Sequence, residues 1–143
     1  GTAQEQHKRR QRQLEKGAKS WLGNVSPQQR QLIRQWSTEM HNLAAVRRLE
    51  QQRWVEHVDQ LYRQRQTLAT ADLQSRLRHL MADETSFWLP EHARLLEENR
   101  QRTLQLLCDL HASLSDNQRR HMLQRLSEVQ HDLLYLYRKT LPA

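Results

Sequence analysis

The sequence predicts an all-helical fold: an elongated antiparallel bundle of four to five helices, built on two helical hairpins with one long central helix. Three glycines and three prolines occur in 143 residues, so few positions break a helix. Apolar side chains recur at three- and four-residue steps along most of the chain. The phrase Ser-x-x-Gln-Arg begins at Ser26 and again at Ser115. Each copy has the pattern of a helix start, so each predicts a hairpin corner.

The length and composition indicate a single helical domain over residues 1–143. Apolar residues make up 36% of the chain and the formal net charge is +7, so the helices should have wide solvated faces. The single cysteine, Cys108, is expected to be a small buried side chain. The chain does not begin with methionine, and we expect it to be a fragment of a longer protein.

The first predicted helix spans residues 3–22, and its first half is entirely polar. Its apolar residues are Leu14, Ala18, Trp21 and Leu22. Residues 1–13 are therefore expected either to project or fray in solvent, or to pack against a segment outside this sequence.

A basic run, HKRRQR, lies in this polar half. It contains Lys8, Arg9, Arg10 and Arg12. Such a run is typical of a solvated helix face, and it also suits contact with a polyanion or with anionic lipid headgroups.

A strong helix start follows Gly23 and Asn24. Ser26 is placed as the N-cap, Pro27 as the first helical residue, and Gln29 as the residue that closes the capping box. Between Pro27 and Thr70 there is neither glycine nor proline. The pattern therefore predicts one central helix of about 40 residues, about 60 Å long.

Three polar residues interrupt the apolar stripe of this helix: Arg47, Glu50 and His57. One interpretation is a local kink, with the long side chains reaching solvent. The other is an internal polar cluster that sets the helix register or forms a small binding site.

The second half of the chain repeats the first pattern. A helix over residues 71–82 and a connection containing Phe87 and Trp88 precede a helix that starts at Pro90. Ser115 and Gln118 form the second predicted capping box, which begins the last helix.

No motif in the sequence indicates catalysis. The chain contains one Glu-x-x-His, at residues 128–131, where a di-iron bundle needs two, and it has no Gly-rich phosphate loop and no H-E-x-x-H. We therefore expect no enzymatic activity, no bound metal and no cofactor. Nucleic acid is not an expected partner, because the basic run has no aromatic residues among its charges.

The segments SWLGNVSPQQRQLIRQWS, EQQRWVEHVDQLYRQR and EENRQRTLQLLCDLHASLSDNQRRHMLQRLSEVQHDLLYL resemble the C-terminal part of a Gram-negative bacterial lipoprotein family of unknown function. In that family an export signal, an acylated cysteine and a helical N-terminal half come earlier in the chain. The resemblance implies that the full-length protein is membrane-anchored and faces the periplasm.

The two corners are also similar to the LTxxQ motif of Spy/CpxP-type periplasmic chaperones, with Ser26 and Ser115 in place of threonine. This similarity implies binding of unfolding protein clients. We therefore expect a non-catalytic helical envelope lipoprotein domain that binds or scaffolds protein partners and acts like a chaperone. The alternative is a polyanion or anionic-lipid binder that uses the N-terminal basic run. The sequence leaves the partner and the oligomeric state open.

Overall fold

The computed structural model describes residues 1–142, and these residues form six α-helices and one 3₁₀ helix. The α-helices are α1 (Ala3–Leu22), α2 (Pro27–Glu39), α3 (Ala44–Arg63), α4 (Thr70–Ala82), α5 (Pro90–Ala112) and α6 (Asp116–Thr140). The 3₁₀ helix spans Glu84–Phe87. Residues 1–142 contain no β-strand. The predicted all-helical bundle is confirmed.

The chain divides into two compact units. The terminal unit consists of Gly1–Met40 together with the chain from Gln101 onward, and the middle unit is His41–Arg100. The single helical domain expected over residues 1–143 therefore contains two separately packed bodies.

Both helices that begin with Ser-x-x-Gln carry a complete capping box. The Ser26 Oγ accepts a hydrogen bond from the Gln29 backbone N at 3.1 Å, and the Ser26 backbone N donates to Gln29 Oε1 at 2.9 Å. Ser115 and Gln118 repeat this geometry at the same two distances. Pro27 occupies the first position of α2, where a backbone N–H has no helical partner. The local sequence therefore sets both helix starts.

The two capping glutamines also bond to each other inside the terminal unit. Gln29 Nε2 donates to Gln118 Oε1 at 2.9 Å, and Gln118 Nε2 donates to Gln29 Oε1 at 2.8 Å. Each amide also reaches a carbonyl of the opposite corner: Gln118 donates to Asn24 O at 3.0 Å and Gln29 to Ser113 O at 3.4 Å. Both pairs of equivalent residues are separated by 89 positions. The two corners are thus related by an approximate two-fold axis through the glutamine pair.

The apolar core of the terminal unit is small and lies beside these corners. Ile33 is fully buried against Leu106 and Leu110 of α5, and residues of α1 and α2 pack around them. Trp36 contributes its ring to this core and donates its Nε1–H to Thr103 Oγ1 at 3.0 Å. Cys108, which was expected to be buried, is exposed. Leu106 and Leu110 face the core. Cys108 lies two positions from each of them, so its side chain is on the opposite side of α5.

The polar first half of α1 is attached to the end of α2. The fully buried Ser37 donates its hydroxyl to His7 O, and Ser37 O accepts from His7 Nδ1 at 2.6 Å. Arg10 donates to Ser37 O at 3.1 Å. Residues 3–13 are therefore helical, and His7 and Arg10 attach this segment to α2. Polar contacts hold this segment where an apolar stripe is lacking.

The helix predicted to run unbroken from Pro27 to about Thr70 is divided into α2 and α3 by residues 40–43, so the single long central helix was wrong. Met40 has an extended ψ of 130°, and Asn42 Oδ1 accepts from Ala44 N at 3.0 Å. The buried Asn99 compensates for lost helical bonds: its Oδ1 accepts from His41 N at 2.8 Å and its Nδ2 donates to His41 O at 3.0 Å. The break is stable because a side chain from α5 satisfies the freed backbone groups.

The His41 side chain is also fixed at this break. Its Nε2 donates to Glu98 Oε2, and Arg94 donates to the other oxygen of the same carboxylate at 2.9 Å. These hydrogen bonds, the one from His41 above all, lower the pKa of Glu98. The carboxylate therefore stays ionised to more acidic pH than an isolated glutamate.

The middle unit has a thin core. α3 contacts α4 and the 3₁₀ helix, and the buried apolar residues are Leu43, Val46, Leu61 and Phe87. The structure describes every residue of α4, and it buries none of them fully. Several large apolar side chains of this unit are consequently exposed.

We predict that Gln29→Ala and Gln118→Ala will each lower the free energy of unfolding by about 1–3 kcal/mol, because each leaves a buried amide partly unpaired. The double variant should lose less than the sum of the two single losses, since the second substitution removes the group left unsatisfied by the first. Urea unfolding of the four proteins measures this coupling. Gln31→Ala, at an exposed position of α2, is the control. Additive losses would show that the two amides act independently.

Candidate functional site

Glu50, one of the three polar residues predicted to interrupt the apolar stripe, lies in α3. It is buried and paired with a histidine from α5. Glu50 is 7% exposed and His92 is 4% exposed. His92 Nδ1 donates to the two carboxylate oxygens at 2.8 and 2.9 Å. The Leu89 backbone N donates to Glu50 Oε1 at 2.9 Å. The carboxylate therefore ties α3 to the start of α5.

The other two members of the predicted polar cluster do not join this pair. Arg47 is exposed. His57 is exposed, donates its Nδ1–H to Arg53 O at 2.8 Å, and packs its ring edge-on against Phe87 with centroids 4.8 Å apart. The structure thus brings Glu50 together with His92, and it places Arg47 and His57 elsewhere on the unit.

Two tryptophans lie beside the buried pair. The Trp88 ring stacks on the His92 ring, with centroids 4.0 Å apart and planes 12° from parallel. Trp54 donates its Nε1–H to Leu80 O at 3.3 Å. Trp54 is 40% exposed and Trp88 is 37% exposed, so each presents a large aromatic surface to solvent.

These side chains surround a cleft of about 510 Å³, which we call the tryptophan cleft; its lining includes Arg47, Glu50, Trp54, Phe87, Trp88 and His92. Its buried polar groups are already hydrogen-bonded to each other, so they offer few free donors or acceptors to a ligand. Aromatic surface and the Arg47 guanidinium remain available. Tryptophan and arginine are the side chains most enriched among energetically dominant interface residues. The cleft is therefore suited to apolar side chains of another protein.

A second cleft of about 540 Å³ lies in the same unit and has a more polar lining, which includes Gln60, Gln64, Arg76, His57 and His79. Within residues 1–142 no group of three or more His, Cys, Asp or Glu side chains is arranged to hold a metal ion. The geometry of this second cleft indicates no particular chemistry.

The four basic residues predicted to contact a polyanion have different environments. Lys8, Arg9 and Arg12 are exposed on α1. Arg10 is half-buried, and its guanidinium donates to Ser37 O at 3.1 Å and Met40 O at 3.4 Å. It therefore caps the C-terminal end of α2, where cations are favourable. Three of the four remain available to an anion.

Further basic residues, which were not among the predicted contacts, extend this surface. Arg12, Lys16, Lys19 and Arg30 line a shallow depression of about 260 Å³ together with Glu15 and Val25. The available signal was the spacing of residues 8, 12, 16 and 19, which places four cations on one face of α1. We call Lys8, Arg12, Lys16, Lys19 and Arg30 the basic face.

The fold and these surfaces define a small helical protein with a rigid paired corner, a tryptophan cleft and a basic face. None of the helices formed by residues 1–142 is both long enough and apolar enough to cross a membrane. The chain belongs to the family of unknown function DUF6279, whose family model matches residues 1–94. No curated protein and no solved structure matches the chain.

We predict that Glu50→Ala will destabilise the middle unit by about 3 kcal/mol, because it leaves His92 and the Leu89 N–H buried without their acceptor. Glu56→Ala, at an exposed position of the same helix, should change stability by less than about 0.5 kcal/mol. Hydrogen exchange followed residue by residue would localise the loss to residues 41–100. Equal effects of the two substitutions would contradict the structural role of the buried pair.

Proposed function

We propose that this chain is a non-catalytic, protein-binding helical domain of a bacterial envelope lipoprotein, with chaperone-like binding of unfolded or apolar segments. The observation that carries the proposal is the tryptophan cleft, in which Trp54 and Trp88 are each more than a third exposed above a buried, internally satisfied polar pair. Exposed tryptophan at this density in a small unit favours an interaction surface over ordinary solvent contact.

The charge around the cleft supports protein partners over small ligands. Arg47 of α3 is exposed and lines the cleft together with the two tryptophans. Arginine contacts carboxylates and aromatic rings of many different proteins, so the combination suits varied, partly acidic clients. The cleft offers no convergent set of free donors and acceptors of the kind that orients a specific small molecule.

The envelope location and the lipid anchor are also part of this proposal. They are supported by the resemblance of the corner and flanking segments to Gram-negative lipoproteins, and the chaperone-like activity by the similarity of the corners to the LTxxQ motif. In this proposal the capping residues maintain the fold and do not contact the client. They are Ser26, Gln29, Ser115 and Gln118.

The protein should suppress light scattering by several unrelated aggregating clients at near-stoichiometric ratio. The variant Trp54→Ala/Trp88→Ala should lose most of this suppression, because it removes the aromatic walls of the cleft. Trp21→Ala is the matched control, since Trp21 is a similarly exposed tryptophan of the terminal unit. Circular dichroism would establish that both variants remain helical. If wild-type protein protects no client, or if the control loses activity equally, the cleft is not the client site.

The basic face supports a second candidate function, binding of a polyanion or an anionic lipid surface. Its cations occupy one side of α1 and one position of α2, with Glu15 as the acidic residue among those lining the depression. Such a surface attracts polyanions through long-range electrostatics, without requiring a specific ligand.

Binding to a sulfated polysaccharide should weaken roughly a hundredfold between 50 and 200 mM salt if about four cations are engaged. Lys16→Glu/Lys19→Glu should weaken binding strongly and reduce the salt dependence. Arg78→Glu, at an exposed position of α4, is the control with a charge change outside the basic face. Fluorescence anisotropy of the labelled polysaccharide measures all three proteins. Binding that is insensitive to salt, or equally weakened in the control, would dismiss this function.

A further inference from the structure

The last part of α6 is exposed and rich in apolar side chains. Every residue from Gln130 to Pro142, which we call the α6 tail, is exposed. It includes six large apolar side chains that are 47–62% exposed: Leu133, Leu134, Tyr135, Leu136, Tyr137 and Leu141. A short helix that packs against nothing is marginal in water, because most helix stability in proteins comes from burial of an apolar face. The exposed apolar surface of the α6 tail is therefore typical of a surface that another molecule covers.

The spacing of these residues is that of a coiled coil. Leu126, Val129, Leu133 and Leu136 follow each other at steps of three, four and three residues. This is the a/d pattern of a heptad repeat, with Leu126 and Leu133 at a, and Val129 and Leu136 at d. The preceding part of α6 contacts α1 within the terminal unit, and the heptad pattern continues past these contacts into the α6 tail.

The charges beside this stripe identify the partner. With Leu133 at a, the flanking g positions are Asp132 and Lys139. In an antiparallel pair of helices the g position of one faces the g position of the other. Asp132 would then face Lys139 of a second copy, and Lys139 would face its Asp132. A parallel pair would set Asp132 opposite Tyr137, with no charge match. The α6 tail is therefore complementary to itself in the antiparallel direction only.

We propose that the α6 tail is the homodimer interface of this protein, in which two copies pair antiparallel around Leu133 and Leu136. The two copies are related by a two-fold axis, so each apolar contact and each Asp132–Lys139 ion pair occurs twice. The overlap covers about three helical turns, which is in the low-area range of transient complexes. Dimerisation should therefore be reversible over roughly 1–100 µM protein. This interface is independent of the tryptophan cleft and of the client binding proposed above.

Sedimentation equilibrium of the full chain tests the interface. The wild-type mass should rise with concentration from 17.2 kDa toward twice that value. Leu133→Gln/Leu136→Gln should raise the dissociation constant at least tenfold while circular dichroism shows a helical protein. Leu104→Gln/Leu107→Gln is the control, since these leucines are similarly exposed on α5. A monomer at all concentrations, or a dimer that survives the α6 substitutions, would overturn the proposal.

A charge exchange tests the antiparallel arrangement separately. Asp132→Lys and Lys139→Asp should each weaken the dimer, because each places like charges opposite one another. The double exchange should restore the wild-type dissociation constant to within about threefold, since both pairs are then reversed. Failure of the double variant to recover would overturn the antiparallel register. A wild type that stays monomeric and binds anionic vesicles, with that binding lost in Leu133→Gln/Leu136→Gln, would assign the α6 tail to a lipid surface and refute the dimer.

Discussion

The terminal unit depends on one buried interaction, the reciprocal amide pair of Gln29 and Gln118. Each glutamine has two donor and two acceptor positions, and all are occupied: the Oε1 accepts from the backbone of its own cap and from the other amide, and the Nε2 donates to the other amide and to the opposite corner. An unsatisfied buried amide is costly. Neither corner is therefore fully satisfied without the other, and α1, α2, α5 and α6 are fixed as one unit.

The helices could be predicted from the sequence wherever the controlling contacts are local. The capping boxes at Ser26 and Ser115 are closed within three residues, so their patterns placed both helix starts correctly. The mutual bond of the two glutamines spans 89 positions and has no local signal. The same limit explains the missed break between α2 and α3. No glycine or proline marks it, and the group that makes it tolerable, the Asn99 amide, lies 58 residues from His41.

At the candidate site, too, the sequence predicted the buried polar residue but not the side chain that it bonds to. Glu50 stood out because a carboxylate interrupted an apolar stripe, and the structure buries it. Arg47 and His57 were expected as its companions because they interrupt the same stripe, and such a pattern relates only residues of one helix to each other. The actual partner, His92, lies 42 residues away in α5. A sequence pattern can thus identify a buried polar side chain, since its position is periodic, but not the side chain from another helix that satisfies it.

The satisfied Glu50–His92 pair also determines what the tryptophan cleft can recognise. Because the carboxylate is occupied by His92 and by the Leu89 N–H, a partner gains little by approaching it with a new donor. Trp88 is held in place by stacking on His92, and Trp54 by its bond to Leu80, so both rings are ordered before binding. Ordered aromatic surface costs little entropy on binding and accepts many apolar side chains. The proposed binding of unfolded segments would therefore depend on the apolar character of the segment and little on its exact sequence.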